Sequence, residues 1–189
     1  MQQGLPRKRL LSSLFTRFIT TPTRPLALMF ALFAGNVTAD EVVLFGGSSV
    51  YANNNERILS ASWHVDTPSV EWIDGIAVTY GEFNGLDRYY SRRNLPDVHY
   101  YSVGAYWRFL QTENTRLQFE FAPTYLDGTF YFGHYVGTYW HFTSSLNYQY
   151  MFSNSPLYVG VGYQHTSNGG VKAPNPGIDG LGLQLGLRW

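Results

Sequence analysis

After residue 40 the chain divides into segments of about ten residues in which apolar and polar side chains alternate one for one, separated by clusters of turn residues. Residues two apart share a face of a β-strand, so each segment reads as a strand with one apolar and one polar face. Leu59, Ala61, Trp63 and Val65 alternate with Ile58, Ser60, Ser62 and His64. Tyr101, Val103, Ala105, Trp107 and Phe109 alternate with Tyr100, Ser102, Gly104, Tyr106 and Arg108. The cleanest case sets Leu117, Phe119 and Phe121 against Arg116, Gln118, Glu120 and Ala122. No apolar run after the first 39 residues is long enough for a transmembrane helix, and helical periodicity is scarce. Repeated alternation of this length is the sequence signature of an outer-membrane β-barrel, apolar residues outward and polar ones inward.

The pattern predicts eight strands, near 41–50, 57–65, 71–81, 98–110, 116–126, 137–152, 157–167 and 178–189. The sixth is the least regular, because aromatics fall on both parities between Tyr131 and Phe142. Short connections (Asp66 to Val70, Gln111 to Thr115, Ser153 to Pro156) alternate with longer ones (Tyr51 to Glu56, Glu82 to Asp97, Asp127 to Val136, Asn168 to Gly177). That is the arrangement of a barrel with periplasmic turns, external loops and both termini in the periplasm. The expected fold is therefore all-β, an eight-stranded antiparallel transmembrane barrel. Eight strands leave an interior that side chains fill, which argues against a transport pore. Inside it, Glu120 and Arg116 are expected to pair with each other or with Arg108.

Residues 1–39 have the layout of a secretory signal peptide, leaving 40–189 as the barrel domain. Arg7, Lys8, Arg9, Arg17 and Arg24 precede an apolar core from Pro25 to Gly35, and Val37-Thr38-Ala39 offers small residues for cleavage. The core is too short for a membrane-spanning helix. Removing the leader unmasks a charge that the neutral total conceals. All 13 acidic residues follow Ala39 but only eight basic ones do, giving a net charge of −5. A charge of that sign argues against nucleic acid as a partner. The chain has no Cys, so an oxidising compartment is allowed and disulfides play no part.

The last hairpin carries the chemistry. Val159, Val161 and Tyr163 lead to His165, while Leu181, Leu183, Leu185, Leu187 and Trp189 follow Asp179; all share one parity with Ser167. A base, a hydroxyl nucleophile and a carboxylate thus fall on the apolar face of a hairpin. Cross-strand partners have Cβ atoms about 4.5–5.5 Å apart, so His165 and Asp179 can meet. Ser167 would attack an ester carbonyl, His165 would shuttle the proton, and Asp179 would hold the imidazole. Asn168, Gly169 and Gly170 follow the nucleophile, where backbone N–H groups and an Asn amide can turn toward an oxyanion. Neither a metal nor any other cofactor is required. The same Ser-Asn-Gly-Gly stretch also serves as an ordinary tight turn.

His165-Thr-Ser167-Asn168-Gly169-Gly170-Val-Lys172-Ala-Pro174-Asn175-Pro-Gly177-Ile178-Asp179 resembles the signature of the PagL-type lipid A 3-O-deacylases. That family carries His-x-Ser-Asn-Ala/Gly-Gly, a Pro-Asn-x-Gly-Ile element and a Glu before the terminal strand. The specific match covers about 15 residues, and length and strand count extend it loosely to the whole domain. The resemblance implies Ser167, His165 and Asp179 as catalytic residues, with Asn168 and the two glycines as the oxyanion region. It implies Asn175 as a loop-ordering or substrate-contacting residue, and a homodimer in some members. The family's Glu is here the shorter Asp179. The final strand, ending on Trp189, likewise resembles the assembly signal of bacterial outer-membrane proteins; it also suits an aromatic girdle.

The expected function is an outer-membrane serine esterase, exported to the bacterial outer membrane. It would hydrolyse the 3-O-linked acyl ester of lipid A in lipopolysaccharide and release a 3-hydroxy fatty acid. A non-enzymatic small barrel serving adhesion or envelope structure, and a phospholipid esterase, are the alternatives. Lys172 is placed to meet a headgroup phosphate or to stand as a solvated loop charge. Arg88, Arg92 and Arg93, in the longest external loop, have the same two readings. His64, His99, His134 and His141 show no metal-ligand spacing.

Overall fold

The structure, a computed structural model, describes residues 40–50, 55–86, 97–131 and 134–189. The predicted export signal lies outside these residues, as do Arg88, Arg92 and Arg93. Eight long strands form one closed barrel: β1 (Glu41–Ser49), β2 (Asn55–Asp66), β3 (Gly75–Leu86), β4 (Val98–Phe109), β5 (Thr115–Leu126), β8 (Trp140–Met151), β9 (Leu157–Ser167) and β10 (Ile178–Arg188). Two short strands, β6 (Phe130–Tyr131) and β7 (His134–Tyr135), make a separate hairpin in the connection between β5 and β8. Each long strand is antiparallel to its chain neighbours. β1 closes the sheet on β10, in a register running from Glu41 opposite Arg188 to Ser49 opposite Gly180.

Period-two alternation sorts the side chains as the sequence requires. Ile58 is fully buried while the adjacent Leu59 is 52% exposed. Leu44, Trp63, Val103, Phe121, Leu146, Tyr148, Val161, Leu181, Leu183 and Leu185 all stand outward and exposed. An apolar belt this extensive is incompatible with water as the surrounding solvent and fits a hydrocarbon one.

The interior has two different halves. Toward the long-loop end it holds an apolar cluster that includes Phe45, Ile58, Phe83, Tyr100, Leu126 and Ile178, with Thr124, His141, Thr166 and Asn168 also buried at that end. Toward the short-turn end it is charged and hydrogen-bonded. The buried Glu41 carboxylate accepts from Arg116 at 2.9 and 3.0 Å, from Arg108 at 3.2 Å and from His64 Nδ1 at 3.1 Å. Arg116 Nε donates to Gln149 at 2.6 Å, and Gln149, Gln184 and Asn147 continue the chain of bonds. Between the halves a polar cavity of about 40 Å³, lined in part by Ser60, Ser62, Thr79 and Ser102, has room for a few waters and no more.

Three expectations are corrected. Arg116 pairs with Glu41 rather than Glu120. Four residues of extended strand separate Arg116 from Glu120 by about 13 Å, whereas Glu41 reaches across the lumen from the start of β1. Glu120 instead accepts from Gln118 at 2.7 Å and lies 3.3 Å from His64 Nε2. The third strand begins at Gly75, not residue 71. Thr67 N–H donates to the Asp74 carbonyl, and Trp107 Nε1 donates to the Trp72 carbonyl at 2.7 Å, so this stretch is tied into a turn. The sixth long strand begins at Trp140. Ahead of it Gly137 takes a left-handed φ of 78° and Val136 is fully buried, which breaks the extended run.

Glu41→Ala removes the acceptor shared by two guanidinium groups and an imidazole. Urea unfolding in lipid vesicles, followed by tryptophan fluorescence, is expected to show a loss of about 3–5 kcal/mol. An unchanged midpoint would mean that the network contributes nothing to barrel stability.

Candidate active site

β9 and β10 meet in a register that sets Asp179 directly opposite His165. On the other side of β9, β8 sets Ser144 opposite His165 and Phe142 opposite Ser167. Odd-numbered residues of β9 face outward, because Tyr158, Gln164 and Thr166 are buried while Val159, Val161 and Tyr163 are exposed. His165 and Ser167 therefore stand on the outer wall near the long-loop end, and Asp179 joins them from β10.

Asp179 Oδ1 lies 2.8 Å from His165 Nδ1. An ionised carboxylate only accepts, so Nδ1 carries the proton in this contact and Nε2 is left with its lone pair. The Tyr163 hydroxyl donates to the same Asp179 oxygen. Asp179 is only 9% exposed although it belongs to the outer face, since its neighbours cover it. Ser167, two residues beyond His165, shares the face and is half-buried. Its hydroxyl makes no hydrogen bond to the imidazole here, and such contacts commonly close only when substrate is bound.

Gly177 shows how tightly these groups converge. Its φ of 66° is left-handed, and a Cβ there would sit 3.2 Å from His165 Cε1 and 3.9 Å from Ser167 Cβ. The glycine lets the loop pass against the ring edge between the two imidazole nitrogens.

The oxyanion expectation for the Asn168 side chain needs correction. Asn168 follows the parity inward and is fully buried. The two N–H groups of its amide are shared among the carbonyls of Lys172 at 2.6 Å, Val136 at 3.1 Å and Pro174 at 3.2 Å. Its Oδ1 accepts from Gly170 N–H at 3.0 Å, and its own N–H donates to Asn175 Oδ1 at 2.8 Å. Both asparagines thus order the loop that follows the strand. Among the described residues, the Gly169 N–H is the backbone donor in Asn168-Gly169-Gly170 that is not committed to this web. Gly169 and Gly170 have φ of 64° and 77°, left-handed values that glycine adopts without cost. Lys172 is exposed, and its carbonyl accepts from the Asn168 amide.

Sequence reasoning missed Tyr163 and Gly177. Alternation sets Tyr163 among apolar residues; its signal is that it is the one residue of that row before His165 with a polar tip. Gly177 carries no local signal beyond its place in the motif.

A family model described as lipid A 3-O-deacylase (PagL) matches residues 57–188. Among solved structures, the outer membrane enzyme PagL is similar at 19% identity and a TM-score of 0.55, over 79% of this chain and 99% of that one. Neisserial surface protein A (NspA) matches at 12% identity and a TM-score of 0.45, over 79% and 94% of the two chains. The N-terminal β-barrel domain of Pseudomonas aeruginosa OprF matches at 12% and 0.45, over 78% and 96%. No curated protein sequence matches the chain.

Gly177→Ala puts a methyl group on the His165 ring edge and strains a left-handed residue by about 1–2 kcal/mol. Ester hydrolysis is expected to fall about tenfold or more while the folded barrel still shifts in heat-modifiability gels. Full activity in the alanine variant would show that the ring is not confined there.

Proposed function

The chain belongs to the lipid A 3-O-deacylase (PagL) family of outer-membrane β-barrel hydrolases, and we propose that Ser167, His165 and Asp179 carry its ester hydrolysis. The observation that bears the most weight is the His165–Asp179 contact of 2.8 Å on the lipid-facing wall. Ionisable groups are costly on such a surface and rarely stand there without a use. Near the interface the cost falls to about 0–1 kcal/mol, so the rim is where such a set is affordable.

His165 Nε2 takes the Ser167 proton as Oγ attacks the carbonyl carbon of the 3-O-linked acyl group. The negative charge passes to the carbonyl oxygen, and the Gly169 N–H, left out of the Asn168 web, is a backbone donor available for it. Collapse of the intermediate breaks the ester bond, and His165 returns the proton to the departing sugar oxygen. A water then repeats the sequence on the acyl-enzyme, giving a free 3-hydroxy fatty acid and Ser167 restored. Asp179 keeps Nδ1 protonated throughout. The acyl chain stays in the leaflet, beside outward residues such as Phe142 and Tyr163, while its ester reaches the rim.

All three side chains come from one hairpin, so the site is complete in a single chain whether or not the protein forms a homodimer. The same reading keeps residues 1–39 as the cleaved export signal. Lys172, exposed in the loop beyond Ser167, would face a headgroup phosphate.

Mass spectrometry of lipid A tests the proposal in a Gram-negative host carrying the wild-type chain, Ser167→Ala or His165→Asn. The wild type is expected to remove the mass of one 3-hydroxyacyl group, and each variant to lose at least about a thousandfold in rate while still folding. Unchanged lipid A beside a correctly folded wild-type barrel, or activity surviving in Ser167→Ala, would defeat it. Loss of phospholipid acyl chains instead would move the substrate to the alternative class.

A further inference from the structure

Tyr163 is the third member of an outward row, Val159, Val161, Tyr163, that otherwise has no polar atom before His165. Its register partner on β10 is Leu181, so Asp179 is its diagonal neighbour. Diagonal cross-strand positions lie about 7–8 Å apart, within reach of an aromatic side chain. The phenol uses that reach: it donates to Asp179 Oδ1, the oxygen that also receives His165 Nδ1–H. The ring itself remains 42% exposed on the barrel wall. Tyrosine suits this place because its body is apolar and its tip is a donor.

The bond has a consequence for the imidazole. A carboxylate on this wall is largely removed from water, and hydrogen bonds to its charged form replace the lost hydration. Two donors converging on Oδ1 leave the carboxylate one orientation. Without the phenol, Asp179 could turn about its Cβ–Cγ bond or take up a proton. A protonated Asp179 would become a donor and favour the imidazole tautomer with its proton on Nε2, where it cannot receive the Ser167 proton.

We propose that Tyr163 is a positioning residue that fixes the Asp179 carboxylate so that His165 presents its Nε2 lone pair to Ser167. The proposal rests on the Ser167–His165–Asp179 assignment. Tyr163 touches no reacting atom; it acts through Asp179.

Tyr163→Phe keeps the ring and deletes the donor. In wild-type background kcat is expected to fall about tenfold, the usual scale for one hydrogen bond to a charged group, with KM unchanged. In an Asp179→Asn background the same substitution is expected to cost nothing further, because the carboxylate it serves is gone. Labelling of Ser167 by a fluorophosphonate, which needs no lipid binding, is expected to slow by the same factor. A KM increase with kcat intact, losses that multiply in the double variant, or unchanged labelling would assign Tyr163 to lipid or substrate contact and overturn the proposal. Should Tyr163→Phe fail to shift in heat-modifiability gels, Tyr163→Trp supplies the test: it keeps an aromatic body with a donor displaced from Asp179, and full kcat there would equally overturn the role. Ser167→Ala run in parallel separates the two readings. If it is inactive while Tyr163→Phe behaves as wild type, the positioning role alone fails; if it is active, the triad itself fails.

Discussion

A peptide backbone that crosses hydrocarbon meets no water, so every N–H and C=O along it must bond to another strand. Here that requirement is met by the pairing of β1 with β10, which leaves no free edge in the main sheet. Closure also fixes sidedness. Once the strands are joined in register, each residue is committed to the lumen or to the lipid wall, and a slip of one residue would exchange the two sets. Pairing β9 with β10 in the observed register is what brings His165 and Asp179 to the same level on the same wall.

The barrel then holds two clusters built from similar residue types with opposite consequences. Glu41, His64, Arg108 and Arg116 sit in the lumen at the short-turn end, where each charge has opposite charges within about hydrogen-bond distance. Glu41, His64 and Arg116 are buried and Arg108 partly so, and Asp66 balances the second guanidinium. His165, Asp179 and Tyr163 sit on the outside at the other end, on a surface where their neighbours are Val161 and Leu181. Residue type alone does not tell these two His–carboxylate contacts apart. Access does: the outer pair stands beside a serine and faces the lipid, and the inner pair faces neither.

Much of this was legible in the sequence because a barrel strand repeats with the shortest period a protein has. Alternation alone located β1, β4, β5, β9 and β10 to within a residue or so, and the shared parity of His165, Ser167 and Asp179 placed them on one wall. What escaped were features set by contacts remote in sequence. The start of β3 depends on Trp107 capturing the Trp72 carbonyl from a neighbouring strand. Glu41 lies at the edge of the first strand, and nothing local marks it as the acceptor for guanidinium groups 67 and 75 residues away. Tyr163 was hidden by its own ring, since an alternation count scores tyrosine as apolar.

Asn168 shows the limit of reading a motif as a list of chemical roles. It directly follows Ser167, yet the same strand parity that turns Ser167 toward lipid turns Asn168 into the barrel. There its amide gathers the carbonyls of Lys172 and Pro174 from its own loop and of Val136 from the neighbouring one. Gly137 makes that approach feasible, because any Cβ would fall 2.9 Å from the Lys172 and Pro174 oxygens. The two loops are thereby fastened to each other through the residue that follows Ser167. A site open to the membrane lacks the enclosing walls that hold catalytic groups in a soluble enzyme. Its rigidity has to come from the sheet and the loop clamp, and the inward-facing Asn168 supplies the clamp while Ser167 and His165 face outward.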